Sequence, residues 1–116
     1  MFDFVMGVTP GLYSPKIYRR VDWSQEFILQ DNGGTAVNLT GQTFEAQAWN
    51  ANRTKKYCDM TCTVTDAANG KLTISMTEAQ TTVLPDLPSW DLKRTNGNDT
   101  DYWLTGQLLV QEGYTE

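Results

Sequence analysis

The chain contains no histidine. That absence removes the side chain whose ordinary pKa lies nearest neutrality, the usual general base and the commonest metal ligand. Serines 14, 24, 75 and 89 therefore have no imidazole to activate them, and a hydroxyl triad is excluded. Cysteine is scarce too, with 2 residues, Cys58 and Cys62. Without histidine they are too few for a tetrahedral zinc site, and no metal or other cofactor is expected. In a strand, four residues span about 13 Å, beyond the reach of about 7 Å between the Cα atoms of a disulfide. Both read as reduced thiols that pack as small apolar side chains. No apolar run approaches the roughly 18 residues of a membrane helix. The apolar N-terminal stretch has no basic residue before Lys16, unlike a secretory leader, so the chain reads as soluble with no membrane partner. Positive charge is the last shortage: 9 Lys and Arg face 14 Asp and Glu, a net charge of −5. Such a chain is poorly suited to neutralising phosphate, and no nucleic-acid partner is expected.

What is present suits one domain. A chain of 116 residues that is 40% hydrophobic and 11% aromatic is long and apolar enough to bury roughly two thirds of its unfolded surface around one core. From residue 16 onward, short β-type runs alternate with turn clusters. In residues 16–23 and 26–30, Ile17, Val21, Trp23, Phe27 and Leu29 occupy odd positions, so a period of two puts them on one face. Residues 43–50 place Phe44, Ala46 and Ala48 on one side and Glu45, Gln47 and Trp49 on the other. Residues 55–65 carry Cys58, Met60, Cys62 and Val64 in alternation, and Leu72, Ile74 and Met76 follow after an Asn69-Gly70 turn. Thr77 and Gln80 form a capping box for a short helix that Pro85 and Pro88 end. Residues 89–95 turn inward Trp90 and Leu92, and residues 100–111 put Tyr102, Leu104, Leu108 and Val110 on one face. Gly106 shares that face, which marks a bulge or a neighbour that needs room. The expected fold is all-β: an immunoglobulin-like antiparallel β-sandwich of six to seven strands with one short helix.

Few residues offer chemistry. Asp22, Glu26 and Glu45 are the carboxylates near strands, but Glu26 and Glu45 alternate against the apolar face and should meet solvent. The oxygen-rich run 96–101 lacks the spaced acids and terminal glutamate of a calcium loop and reads as a turn. No enzyme activity is expected. Residues 1–15 are the anomaly, because Phe2, Phe4, Val5, Met6, Val8, Leu12 and Tyr13 are too apolar for a solvated tail. Glycine and proline in the same stretch prevent a long helix or a central strand. The chain therefore divides into an apolar N-terminal arm, 1–15, and a β-domain, 16–116. Such a stretch buries itself either on its own domain's surface or against a neighbouring subunit, and for the second case those seven side chains are the candidate assembly interface.

Several motifs carry a resemblance. A strand through Phe27-Ile28-Leu29-Gln30 runs into an Asp31-Asn32-Gly33-Gly34 turn, then a Leu39-Thr40-Gly41 step and the strand Phe44-Glu45-Ala46-Gln47-Ala48-Trp49. Further on come Gly70-Lys71-Leu72-Thr73-Ile74, Thr77-Glu78-Ala79-Gln80, Trp90-Asp91-Leu92 and Leu104-Thr105-Gly106-Gln107-Leu108-Leu109-Val110. Over roughly residues 17–115 this resembles the N-terminal domain of phage baseplate upper proteins, with related copies in tail-fibre proteins of tailed phages. The resemblance implies a non-enzymatic virion protein that docks as an adaptor in the tail, baseplate or fibre-attachment region. Its partners would be other phage virion proteins and further copies of itself in a symmetric homo-oligomer. Capsid decoration is the alternative within that class. A carbohydrate-binding β-sandwich, with Trp49, Trp103 and Tyr114 as stacking platforms, is the alternative outside it.

Overall fold

Alternation of apolar and polar residues at a period of two is satisfied when one face of a strand meets a core and the other meets water. In the computed structural model, which describes residues 2–5, 11–31 and 33–115, that pattern is clearest in residues 16–18, 23–30, 43–49, 71–76, 89–94 and 109–111. In chain order these are β1 (Phe2–Val5), β2 (Gly11–Leu12), β3 (Lys16–Tyr18), β4 (Trp23–Gln30), β5 (Thr43–Trp49), β6 (Lys56–Asp66), a 3₁₀ turn (Ala67–Asn69), β7 (Lys71–Met76), α1 (Glu78–Thr82), β8 (Ser89–Asn96), β9 (Asp99–Gln107) and β10 (Leu109–Gln111). One sheet runs in the order β1-β4-β7-β6-β5-β8-β9-β2, and β10 pairs with β3 in a second, small sheet.

Strand β6 organises the large sheet. Its first half pairs with β5 through Cys58, Asp59 and Met60, and its second half pairs with β7 from Thr61 to Asp66. Phe27 and Leu29 of β4 are buried with Leu72 and Ile74 of β7 on one side of this junction, and Ala46, Ala48, Trp90 and Leu92 are buried on the other. Alanine on β5 has a packing reason. Ala46 lies between Met60 and Leu92, and Ala48 between Cys58 and Trp90, so small residues sit among large ones. Tyr13 links the two sides, its ring edge-on to Phe27 at 5.3 Å and to Trp90 at 6.4 Å.

The turns follow side-chain chemistry. Asp31 Oδ1 accepts from the backbone N–H groups of Gly33 and Thr35 at 2.9 and 3.0 Å, closing the loop after β4. Leu39 is buried and Gly41 adopts a φ of 79°, so the Leu-Thr-Gly step anchors the crossing and then turns it. Both halves of the Thr77/Gln80 capping box form at the start of α1.

Several expectations are corrected. Residues 16–23 are no single strand: β3 ends at Tyr18, Arg20 takes a left-handed φ of 67°, and Val21 is 46% exposed rather than inward. Val64 is exposed as well, next to an irregularity between Val64 and Asp66. In β9, Tyr102 faces out and Trp103 is buried beside Leu104. Pairing with β8 jumps from Leu92↔Leu104 to Lys93↔Tyr102, so Trp103 is the extra residue of a bulge that reverses the alternation. The sheets are not wholly antiparallel, because β1 with β4, β2 with β9 and β10 with β3 are parallel pairs.

Candidate functional site

Of the candidate interface residues, Phe2, Phe4, Val5 and Leu12 lie on strands at the margins. Strand β1, which carries Phe2, Phe4 and Val5, is the outer neighbour of β4, and β2 is the outer neighbour of β9. Leu12 is 77% exposed, whereas Tyr13 is half-buried against the core. Met6 and Val8 lie outside the described residues. The crossing at Tyr13 is tightly built. Its backbone N–H donates to the Thr105 carbonyl at 2.9 Å, and its own carbonyl accepts from Trp90 Nε1 at 2.8 Å. A Cβ on Gly106 would stand 2.1 Å from that carbonyl oxygen. Gly106 is therefore the site where a neighbour needs room, and that neighbour is the chain's own residues 13–14. Burial pushes the Tyr13 phenol above its ordinary pKa.

A second site lies on the outward face of β5, β8 and β9. The register sets Glu45 opposite Lys93, Gln47 opposite Asp91 and Trp49 opposite Ser89, with Tyr102 beside Lys93 on the next strand. These side chains, with Arg53 from the β5–β6 loop, line a cleft of about 250 Å³. Trp49 is held in place on two sides. Its indole N–H donates to Gln47 Oε1 at 2.9 Å, and the Arg53 guanidinium sits 4.7 Å from its ring centre. Gln47 in turn donates to Asp59 Oδ1 at 2.7 Å. Desolvation holds the Asp91 carboxyl above the usual carboxylate range, with Arg53 and Lys93 opposing that shift.

The sequence pointed to part of this cleft, namely Glu45, Gln47 and Trp49 on one face of β5. Asp91, Lys93 and Tyr102 were missed as site residues. The signal for the first two was their alternation against Trp90 and Leu92, but only the β5–β8 pairing brings the two rows together. Of the proposed stacking platforms, Trp49 lines the cleft and Tyr114 is fully exposed elsewhere on the chain. Trp103 is unsuited to that role, being buried against Phe44 at 5.5 Å and covered by Arg94 at 4.9 Å.

The other carboxylates have structural partners or lie apart. Asp22 Oδ1 accepts from the Glu78 backbone N–H at 2.8 Å, at the start of α1. Glu45 is exposed as expected, while Glu26 on β4 is half-buried rather than fully solvated. The run 96–101 is a tight hairpin, with Asn96 paired to Asp99 and Asp101 held by Arg94 at 3.0 and 2.8 Å. Cys58 and Cys62 are free thiols, both half-buried. Burial pushes the Cys62 thiol up to about 12 and raises that of Cys58 as well. No helix among the described residues is long and apolar enough to cross a membrane.

No family model matches the chain, and no curated protein does. Among solved structures it is similar to an uncharacterized protein from Bacillus anthracis strain Ames, with a TM-score of 0.43 and 6% identity. That match covers 88% of this chain and 85% of the other.

Proposed function

We propose that this chain is a non-enzymatic structural protein of a tailed-phage virion, working as a docking module in the tail, baseplate or fibre-attachment region. The observation that carries the reading is the course of the N-terminal segment. Its strands β1 and β2 lie on the outer edges of the large sheet and Leu12 is exposed, and a strand at an edge presents unpaired backbone groups to which another chain can add. The motifs that resemble phage baseplate upper proteins support it from the sequence side. They sit at joints of the fold, in the Asp31 turn, the Leu39–Gly41 crossing and the Thr77 cap. The same reading takes the two sides of the sheet as the layers of an immunoglobulin-like β-sandwich, and Tyr13, wedged between rings from each side, supports it. Symmetric copies would multiply a modest interface through avidity.

The experiment is protein mass spectrometry of purified tailed-phage particles from the host that makes the chain. The chain is expected in intact particles in a fixed copy number relative to the other tail proteins. Its absence from particles would refute the reading, and a copy number tracking the major capsid protein would move the site of work to capsid decoration.

A further inference from the structure

The cleft on β5, β8 and β9 is not needed for docking through the N-terminal segment, and its chemistry points elsewhere. Apart from Arg53, which the β5–β6 loop supplies, its side chains sit on paired strands and are held by backbone geometry. Its charges balance, with Glu45 and Asp91 against Arg53 and Lys93, and yet no ion pair joins any of the four among the described residues. Glu45 and Lys93 stand directly opposite one another in the register and form no salt bridge with each other. The Asp91 carboxylate is half-buried and accepts no hydrogen bond from a described residue. Tyr102 adds a half-exposed ring beside Lys93 as the stacking surface, and half-buried Trp49, held by Gln47 and covered by Arg53, forms a wall of the cleft.

We infer that this cleft binds a neutral saccharide, one ring unit at a time. A hydroxyl group both donates and accepts, so neighbouring sugar hydroxyls can satisfy a carboxylate and an ammonium together. The apolar face of the ring can rest on an aromatic side chain that is itself part polar. Balanced charge gives no net field to select an anion or a cation. A volume of about 250 Å³ lies just under the range of about 300–1,000 Å³ for drug-sized ligands, which suits one ring better than a long chain.

The test is a titration of the full-length, isotopically labelled chain with the methyl glycosides of glucose, galactose, mannose and N-acetylglucosamine, followed by amide NMR. Glucuronate, glucosamine and glycine betaine serve as anionic, cationic and zwitterionic comparisons. Saturable shifts with at least one neutral glycoside are expected, confined to residues near Glu45, Trp49, Asp91 and Tyr102. Asp91→Asn and Tyr102→Ala should each weaken binding by about tenfold, the effect of losing a charge-assisted hydrogen bond or a stacking surface. Tyr114→Ala should leave binding unchanged. No saturable shift with any neutral glycoside would overturn the inference, as would shifts centred elsewhere or tighter binding of a charged or zwitterionic probe. Because the map comes from the unmodified chain, it decides the matter even if a variant fails to fold.

Discussion

Gly106 shows what a single residue does here. Its missing Cβ leaves room for the Tyr13 carbonyl, which also takes the Trp90 indole hydrogen bond, so one position ties the N-terminal segment to β8 and β9. Gly106→Ala should destabilise the fold by about 1–3 kcal/mol in urea unfolding, the usual cost of overpacking. Gly113→Ala, where an added Cβ meets only Arg20 at an ordinary 3.7 Å, should stay within about 0.5 kcal/mol. The thiols give a second test at this scale. Raised folded-state values mean that the fold favours the protonated thiol, so this contribution is intact below the unfolded value near 9 and is lost as pH climbs toward about 12. Stability should therefore fall across that alkaline window, and Cys58→Ser with Cys62→Ser should flatten the fall. At pH 8 both thiols should react with a disulfide reagent more slowly than free cysteine, Cys62 by more than about tenfold, since the thiolate is the nucleophile. The sequence made the special role of Gly106 legible, because glycine on the apolar face of a strand has few other uses. It did not reveal which neighbour needed the space, as that contact joins residues 13 and 106 across the fold.

At the level of elements, alternation carried the reading wherever strands were regular. Strand β7 and the inner face of β5 lie as the period of two predicts, and the capping box places α1. The misreadings cluster where pairing geometry overrides local pattern. The bulge at Trp103 reverses the faces of β9, and the left-handed turn at Arg20 splits an apparently continuous run. Neither has a local sequence signal, since arginine rarely adopts positive φ and tryptophan fits either face of a strand. The reason for the Arg20 turn is tertiary. Arg19 donates to the Leu84 carbonyl at 2.8 Å and bridges Asp86 and Glu112 at 2.8 and 2.6 Å, while Arg20 binds Glu112 and the Gly113 carbonyl. Hydrogen bonds from Arg20 and Arg19 hold the Glu112 carboxyl below its usual range. A depressed value means stability that is present above the unfolded carboxylate pKa and lost as pH falls through the folded one. Glu112→Gln should therefore weaken the acid dependence of unfolding and speed amide hydrogen exchange in β3 and β10. Unchanged exchange in both strands would show that the arginine cluster does not hold the small sheet.

For the molecule as a whole, the described part of the N-terminal segment takes the first of the two courses open to it, packing on its own domain. Residues 1–15 read as an apolar arm, and within it β1 and β2 pair at the two margins of the large sheet while Tyr13 packs against the core. Parallel pairing explains why the sequence did not show this, because such partners are remote in the chain and joined by no hairpin turn. The cleft was half-legible for a related reason: one strand of its lining announced itself by alternation, and the neighbouring strands did so only after pairing. Marginal strands and an exposed Leu12 are the basis for the proposal that this segment mediates assembly. The most direct test is native mass spectrometry of the full-length chain beside Leu12→Asp, with unfolding midpoints measured for both. The account predicts a symmetric oligomer for the natural chain and a monomer of unchanged stability for the variant. A natural chain that stays monomeric, or a variant that assembles equally well, would contradict it.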